Sequence, residues 1–314
     1  MNLNEKRWIE HYLEEMLLVT SQNLPMIKVE DNYTIVKELG SGSYGHVLLA
    51  LNQSKGNLMA LKFMQKDNTD LRCFLIEYCV SLSLSMHPCI IDTFGIAFQT
   101  DRHYVFAQEI ACDNLFSLMK PQAGLPELSV KRCAIQLSSA LEYMHMKGLV
   151  HRDIKPENIL IFDQECRNIK LTDFGLSCTN GTSVESMPEN LPYTAPEMCS
   201  LGVADKLVVQ ESLDTWAFGV LLFCLLTGYF PWTSAVSSDK NYVYYTKWHR
   251  SNRIFQIPNQ WKVFTKDALE MLPKFIAPVP AKRCSSSEVM KYLKSPWKVN
   301  SNDGVFKNKN IILR

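Results

Sequence analysis

The chain has 314 residues, 46% of them hydrophobic, and a net charge of +1 from 33 basic and 32 acidic side chains. That apolar share excludes a disordered protein, and the balanced charge excludes a nucleic-acid-binding surface that covers the molecule. The longest apolar stretch, 217–226, falls well short of the ~18 residues that a membrane span needs, and acidic residues interrupt the N-terminus where a secretory signal would be apolar, so a cytoplasmic protein with no membrane or nucleic-acid partner is expected. Ten cysteines are scattered without a C-x-x-C pair or zinc spacing, which fits reduced, mostly buried thiols.

In chain order, residues 1–30 read as an extension. Trp8, Ile9, Tyr12, Leu13, Met16 and Leu17 recur at helical spacing, which predicts a helix packed on a domain surface. Residues 33–63 read as three short strands in an antiparallel meander, with a glycine-rich turn between the first two. A helix is predicted over 69–85, and strands over 90–98 and 104–109. After Asn114 the pattern turns helical: an amphipathic segment at 128–147, one apolar nearly all round at 214–227, and further helices at 266–275 and 285–293. The polar residues 299–314 read as a tail.

Five short motifs carry chemistry. Gly40-Ser41-Gly42-Ser43-Tyr44-Gly45 could be a dinucleotide fingerprint, but that version opens a helix, and here a strand, Val47-Leu-Leu-Ala-Leu, follows. Glycines between two strands let backbone N–H groups approach phosphate oxygens. Lys62, inside the apolar run Ala60-Leu61-Lys62, needs a partner for its charge, and Glu77 on the next helix is the candidate. His151-Arg152-Asp153-Ile154-Lys155-Pro156-Glu157-Asn158 spaces an Asp and an Asn for one phosphoryl-transfer centre. Asp153 would accept the proton of the attacking hydroxyl, Asn158 would ligate magnesium, and Lys155 would neutralise charge on the transferred group. Asp173-Phe174-Gly175 adds a hard carboxylate for magnesium, and Ala195-Pro196-Glu197 closes a 25-residue activation segment.

In this order the five motifs resemble those of eukaryotic protein kinases, over residues 31–298. Asp214 resembles the family's anchor for the catalytic loop, and Arg283 its partner for Glu197. The segments FLIEYCVSLSLSMHPCII and PYTAPE are similar to those of the SBK family, the Src-homology-3-binding-domain kinases. The resemblance implies an α+β, two-lobed fold: a small antiparallel-sheet N-lobe with one main helix (31–108), a hinge (109–114) and a larger helical C-lobe (115–298). It implies ATP and Mg2+ as cofactors and a monomeric protein kinase. Lys155-Pro156-Glu157-Asn158 is the Ser/Thr form, so the partner would be a protein substrate with a Ser or Thr acceptor. The nucleotide site would comprise Leu39, Gly40, Ser41, Gly42, Ser43, Tyr44, Gly45, Val47, Ala60, Lys62, Gln108, Glu109, Ala111 and Asn158, with Asp173 and Asn158 on the metal. Val47 and Ala60 would cover the base, Asp113 or Asn114 would meet the ribose, and the gatekeeper would be Gln108 or Ala107. Arg152 could hold an activation-loop phosphate, with Thr179, Thr182, Ser183 and Ser186 as candidate acceptors.

Two departures stand out. Glu189-Asn190 occupies the place of the family's Gly-Thr pair, which leaves a pseudokinase-like nucleotide-binding scaffold as the alternative. The fourteen prolines include no two three apart, so there is no P-x-x-P ligand for a Src-homology-3 domain.

Overall fold

The computed structural model describes residues 3–42, 45–120, 122–185, 192–202, 204–251 and 256–299, with residues 3–10 described by backbone only. Ser43, Tyr44, Ser186, Glu189, Asn190 and the tail beyond residue 299 therefore lie outside the described residues. The chain divides into two compact units, Met1–Cys112 with Lys170–Ser177, and Asp113–Ile169 with Cys178–Arg314.

The first unit opens with helix α1 (Leu3–Gln22) and then builds a sheet from β1 (Tyr33–Gly42), β2 (Gly45–Asn52), β3 (Leu58–Gln65), β4 (Thr93–Gln99) and β5 (His103–Gln108), in the order β1-β2-β3-β5-β4. Every pairing is antiparallel. Helix α2 (Leu71–Leu84) connects β3 to β4, and the Asp70 side chain caps it by accepting from the Cys73 N–H at 2.7 Å. The apolar content of β3 is explained by burial on both faces. Met59, Leu61 and Phe63 pack in one cluster with Tyr33, Phe98, Val105 and Ala107, while Met64 packs in another with Phe106 and with Phe74 and Tyr78 of α2. The strand expected over 90–98 begins instead at Thr93. Ile90 forms a single parallel bridge with Leu171, and the Ile91 N–H donates to the Leu171 carbonyl at 3.0 Å. Those backbone groups are thus spent on tying Lys170–Ser177 into the first unit.

Two bulges interrupt the β1–β2 register, at Ile35/Lys37 and Glu38/Gly40, just before the glycines. Gly45 has a physical need to be glycine, because a Cβ there would sit 1.8 Å from the Phe63 carbonyl oxygen and its φ is +150°. At Gly40 and Gly42 a Cβ would meet no atom within 4 Å. Gly45→Ala is therefore expected to destabilise the chain by about 1–3 kcal/mol, the usual scale of an overpacked site, and Gly40→Ala to leave stability unchanged. Chemical denaturation of both variants checks the contrast.

In the second unit β6 (Asp113–Asn114) precedes α3 (Glu127–Met146), β7 (Leu149–Val150) and β8 (Ile159–Ile161), and β9 (Ile169–Leu171) carries the chain across the unit boundary. After β10 (Cys178–Thr179) and β11 (Ser183–Val184) come α4 (Pro196–Cys199), β12 (Leu207–Val208), α5 (Ser212–Thr227), α6 (Lys240–Arg250) and α7 (Lys266–Phe275). All residues of α5 from Leu213 to Leu226 are buried, as its uniform apolarity predicts. It ends on Gly228 in the left-handed conformation, φ 73°, whose N–H donates to the Cys224 carbonyl at 2.8 Å. The helix predicted at 285–293 is a 3-10 segment, Ser286–Tyr292, started by the Ser285 hydroxyl accepting from the Ser287 N–H. All ten cysteines are described, and none forms a disulfide.

Candidate active site

The first unit assembles one group of charged residues around β3. The β3–β5 register sets Lys62 opposite Phe106 and Ala60 opposite Gln108. Alternation along β5 then places Gln108, and not Ala107, on the face of the sheet that carries Lys62, while Ala107 packs in the opposite cluster. The Lys62 ammonium donates to the Glu77 carboxylate of α2 and to Asp173 Oδ1 at 3.4 Å. Burial pushes the ammonium down, but the Asp173 and Glu77 carboxylates outweigh it and hold Lys62 above the ordinary lysine value. Burial pushes the Glu77 carboxyl up, and the Lys62 charge pulls it back only in part. A protonated, paired Lys62 is the state that can meet phosphate oxygens.

Asp173 adopts φ +66°, a backbone conformation that non-glycine residues rarely take, and its neighbour Phe174 is fully buried. At Gly175 a Cβ would lie 3.2 Å from Glu77 Oε2, a tight approach to that side chain. At the end of β5 the side chain of Gln108, only 8% exposed, donates to Thr93 Oγ1 at 3.0 Å and Ser81 Oγ at 3.3 Å, and those two hydroxyls bond each other. Glu109 accepts from the Asp92 N–H at 2.7 Å and pairs with Lys170. Leu39 sits in the second bulge of β1, and Gly40, Ser41 and Gly42 end the strand in register with Val47, His46 and Gly45 of β2, while Ala111 lies beyond β5 outside any element.

The second unit holds the other group, in the loop between β7 and β8. Asp153 accepts from Asn158 Nδ2 at 2.8 Å and from Lys155 Nζ at 2.9 Å, while the same Asn158 amide reaches the Asp153 carbonyl at 2.9 Å. The loop is anchored from α5. The fully buried Asp214 accepts from the His151 N–H at 2.8 Å and the Arg152 N–H at 2.7 Å, and meets His145 Nε2 at 2.9 Å. Arg152 sits at φ +70°, which turns its N–H onto that carboxylate. Further along, Arg283 forms a bidentate pair with Glu197, both bonds 2.6 Å, and stacks its guanidinium 4.8 Å from the Trp216 ring.

The anchor titrates. Burial pushes the Asp214 carboxyl up, but its hydrogen bond to His145 and that residue's charge, with the Arg152 N–H, bring it below the ordinary 3.8. Burial pushes the His145 imidazolium down, but Asp214 outweighs it and lifts His145 above 6.5. A lifted histidine contributes stability that is complete below pH 6.5 and fades as pH rises through the folded value. A depressed carboxyl contributes stability that is complete above pH 3.8 and fades as pH falls. The stability lost in His145→Gln is therefore expected to be larger at pH 5.5 than at pH 8.5, as urea denaturation at the two values would read.

Sequence reasoning missed several residues of these groups. Ser81 stands one helical turn after Glu77, so its shared face was readable. Asp92, Thr93 and Lys170 have no local signal, since their partners lie 12 to 61 positions away. His145 ends an ordinary amphipathic helix, and nothing in its spacing marks it as the partner of Asp214. Among the described residues no group of three or more His, Cys, Asp or Glu side chains could by itself hold a metal ion, and no helix is long and apolar enough to cross a membrane.

These two groups lie in a chain whose residues 33–297 match the sequence pattern of the protein kinase domain. The protein belongs to the protein kinase family, with the two-lobed kinase fold of a five-stranded antiparallel N-lobe sheet and a helical C-lobe. Within that family it groups with the SBK kinases. It is 49% identical over 293 residues to the serine/threonine-protein kinase SBK1 of Danio rerio, covering 93% of this chain and 76% of that protein. To SBK1 of Mus musculus it is 46% identical over 282 residues, covering 90% and 67%. To the serine/threonine-protein kinase SBK2 of Homo sapiens it is 41% identical over 289 residues, covering 91% and 83%.

Proposed function

We propose that the protein transfers the γ-phosphoryl group of ATP to Ser and Thr hydroxyls of proteins. The observation that carries this reading is the buried Lys62–Glu77 pair with Asp173 beside it, in a chain whose relatives are named serine/threonine-protein kinases. The residues fit a nucleotide. Gly40 and Gly42 leave open space where a side chain would otherwise stand, so their backbone can approach phosphates. The charged Lys62 meets the α- and β-phosphates, held in place by Glu77. Val47 and the nearly buried Ala60 cover the base, Gln108 closes the end of β5 beside it, and the backbone of Glu109 to Ala111 meets its edge.

Asp173 supplies a carboxylate oxygen for Mg2+. Asn158 supplies Oδ1, since its Nδ2 is committed to Asp153. When bound, the ion would neutralise charge on the phosphates.

Asp153 orients the acceptor hydroxyl and takes its proton. The hydroxyl oxygen forms the new P–O bond as the bond from the γ-phosphorus to the bridging oxygen breaks, and ADP keeps those electrons. Lys155, 2.9 Å from Asp153, offsets charge on the transferred group. Catalysis of this kind is positioning plus electrostatics, with no covalent enzyme intermediate. A cytoplasmic location is supported by the ten unbridged cysteines.

A thermal-shift titration with Mg-ATP beside a phosphorylation assay on a peptide array tests this reading. Stabilisation by Mg-ATP together with labelling confined to Ser and Thr peptides is expected. Binding without transfer would make the protein a scaffold.

A further inference from the structure

The helix at the start of the chain supplies no group to phosphoryl transfer, yet it lies against the element that carries Glu77. Helix α2 has two loaded faces. Phe74, Glu77, Tyr78 and Ser81 recur at helical spacing and face the sheet: Phe74 stacks on Tyr104 at 5.0 Å, Tyr78 meets Phe106 at 5.7 Å, Glu77 meets Lys62 and Ser81 meets Thr93. Arg72, Leu75 and Cys79 form a second stripe, and its partners come from α1. Arg72 pairs with Glu14 at 2.8 Å, and Cys79 Sγ lies 3.6 Å from the Thr20 hydroxyl. Leu17 (7% exposed) and Leu24 (9%) join the cluster of Leu75, Tyr78 and Cys79, with Leu13 and Met16 packed at its edge.

The end of α1 is also stitched to the sheet. The Ile27 N–H donates to the Gln99 carbonyl at 3.0 Å, the Gln99 N–H to the Pro25 carbonyl at 2.8 Å, and the Gln99 side chain to the Leu24 carbonyl at 3.3 Å. Lys66 then fixes that glutamine by donating to its Oε1 at 2.9 Å. The exposed Arg72–Glu14 pair contributes little by itself. The holding force is the apolar contact, positioned by the Gln99 stitch.

We propose that Leu17 and Thr20 are positioning residues for the Lys62–Glu77 pair, holding α2 from its outer side. The physical reason is the cost of a buried ion pair. Glu77 is 3% exposed, and its charge is tolerated only while the geometry to Lys62 is kept. A sheet on one face alone leaves α2 free to rotate or lift, and the apolar stripe at Leu75 and Cys79 would then face water. Docked α1 couples the two: its contacts favour the one α2 position in which Glu77 reaches Lys62. The inference rests on the proposed role of Lys62 and Glu77, but its first readout is independent of phosphoryl transfer.

The test uses the full chain with Leu17→Glu, with Leu17→Ala as the milder variant should the first not fold, and with Leu17→Met as the volume-conserving control. Amide hydrogen exchange of residues 71–84 is read without nucleotide, and kcat and the peptide KM are read separately. In the Glu or Ala variant, exchange in α2 is expected to rise at least about tenfold while that of α5 is unchanged, a change in local opening rather than global stability. kcat is expected to fall about tenfold or more with the peptide KM unchanged, and Leu17→Met to retain both parent values. Adding Thr20→Cys to Leu17→Glu and oxidising with glutathione disulfide should link position 20 to Cys79, restoring α2 protection and kcat, and dithiothreitol should remove the rescue. Parent-like α2 exchange in the Glu and Ala variants, or no recovery in the cross-linked chain, would overturn the proposal. A parent chain without transfer activity would count against the kinase reading alone, because the exchange data still decide whether α1 holds α2.

Discussion

Asp153→Asn is expected to lower kcat by about 10²–10⁴-fold, the usual contribution of a positioned general base, while leaving the fold intact. The substitution keeps the shape of the side chain and an acceptor for the Asn158 amide at 2.8 Å, and the loop stays anchored because Asp214, not Asp153, holds the backbone of His151 and Arg152. What would be lost is the negative charge proposed to orient the hydroxyl and receive its proton. Mg-ATP affinity, measured by thermal shift, should stay near the parent value, since the proposed nucleotide contacts come from other residues. A fall in kcat together with a large fall in Tm would instead mark Asp153 as a structural member of its loop.

Lys62→Met should remove transfer as thoroughly, but with a second signature. The ammonium is the countercharge for Glu77, whose side chain is 4% exposed, and for Asp173. Deleting it leaves a buried carboxylate beside another carboxylate, which costs about 3–5 kcal/mol when one partner of a buried pair is removed. Glu77 would relieve part of that cost by taking up a proton, because losing Lys62 removes the charge that opposes its upward shift. Replacing both partners, Lys62→Met with Glu77→Leu, should recover most of the lost stability and none of the activity. The experiment pairs urea denaturation with a transfer assay. A double variant as unstable as the single one would show that the pair is not what holds this part of the first unit.

The candidate site residues could be proposed from the sequence because each motif is contiguous and its expected chemistry is local. A lysine in an apolar strand needs a partner, and Glu77, fifteen residues on in the next helix, is the acidic side chain that answers it. The meander of β1, β2 and β3 and the buried α5 followed from period and apolarity. Other features depend on contacts remote in sequence. Helix α6 has no counterpart among the predicted elements; it is held by burial of Tyr242, Tyr245 and Trp248 on one helical face. Whether Ala107 or Gln108 faces Lys62 is decided by the register of β5 on β3, a one-residue matter that no local pattern fixes. The 3-10 form of Ser286–Tyr292 was hidden for a related reason, since spacing alone separates tight from ordinary helical turns poorly. The polar network of Gln108, Ser81 and Thr93 joins three elements, and it shows only after the sheet and α2 are assembled.

Asp153 and Lys62 are proposed to serve transfer of phosphate to protein hydroxyls. The most direct measurement is incubation of the full chain with γ-labelled ATP and Mg2+, followed by mass-spectrometric mapping of the labelled sites, beside the Asp153→Asn and Lys62→Met variants. Label on Ser and Thr in the parent and almost none in either variant is expected. Label incorporated undiminished by the variants, or found on tyrosine alone, would contradict it.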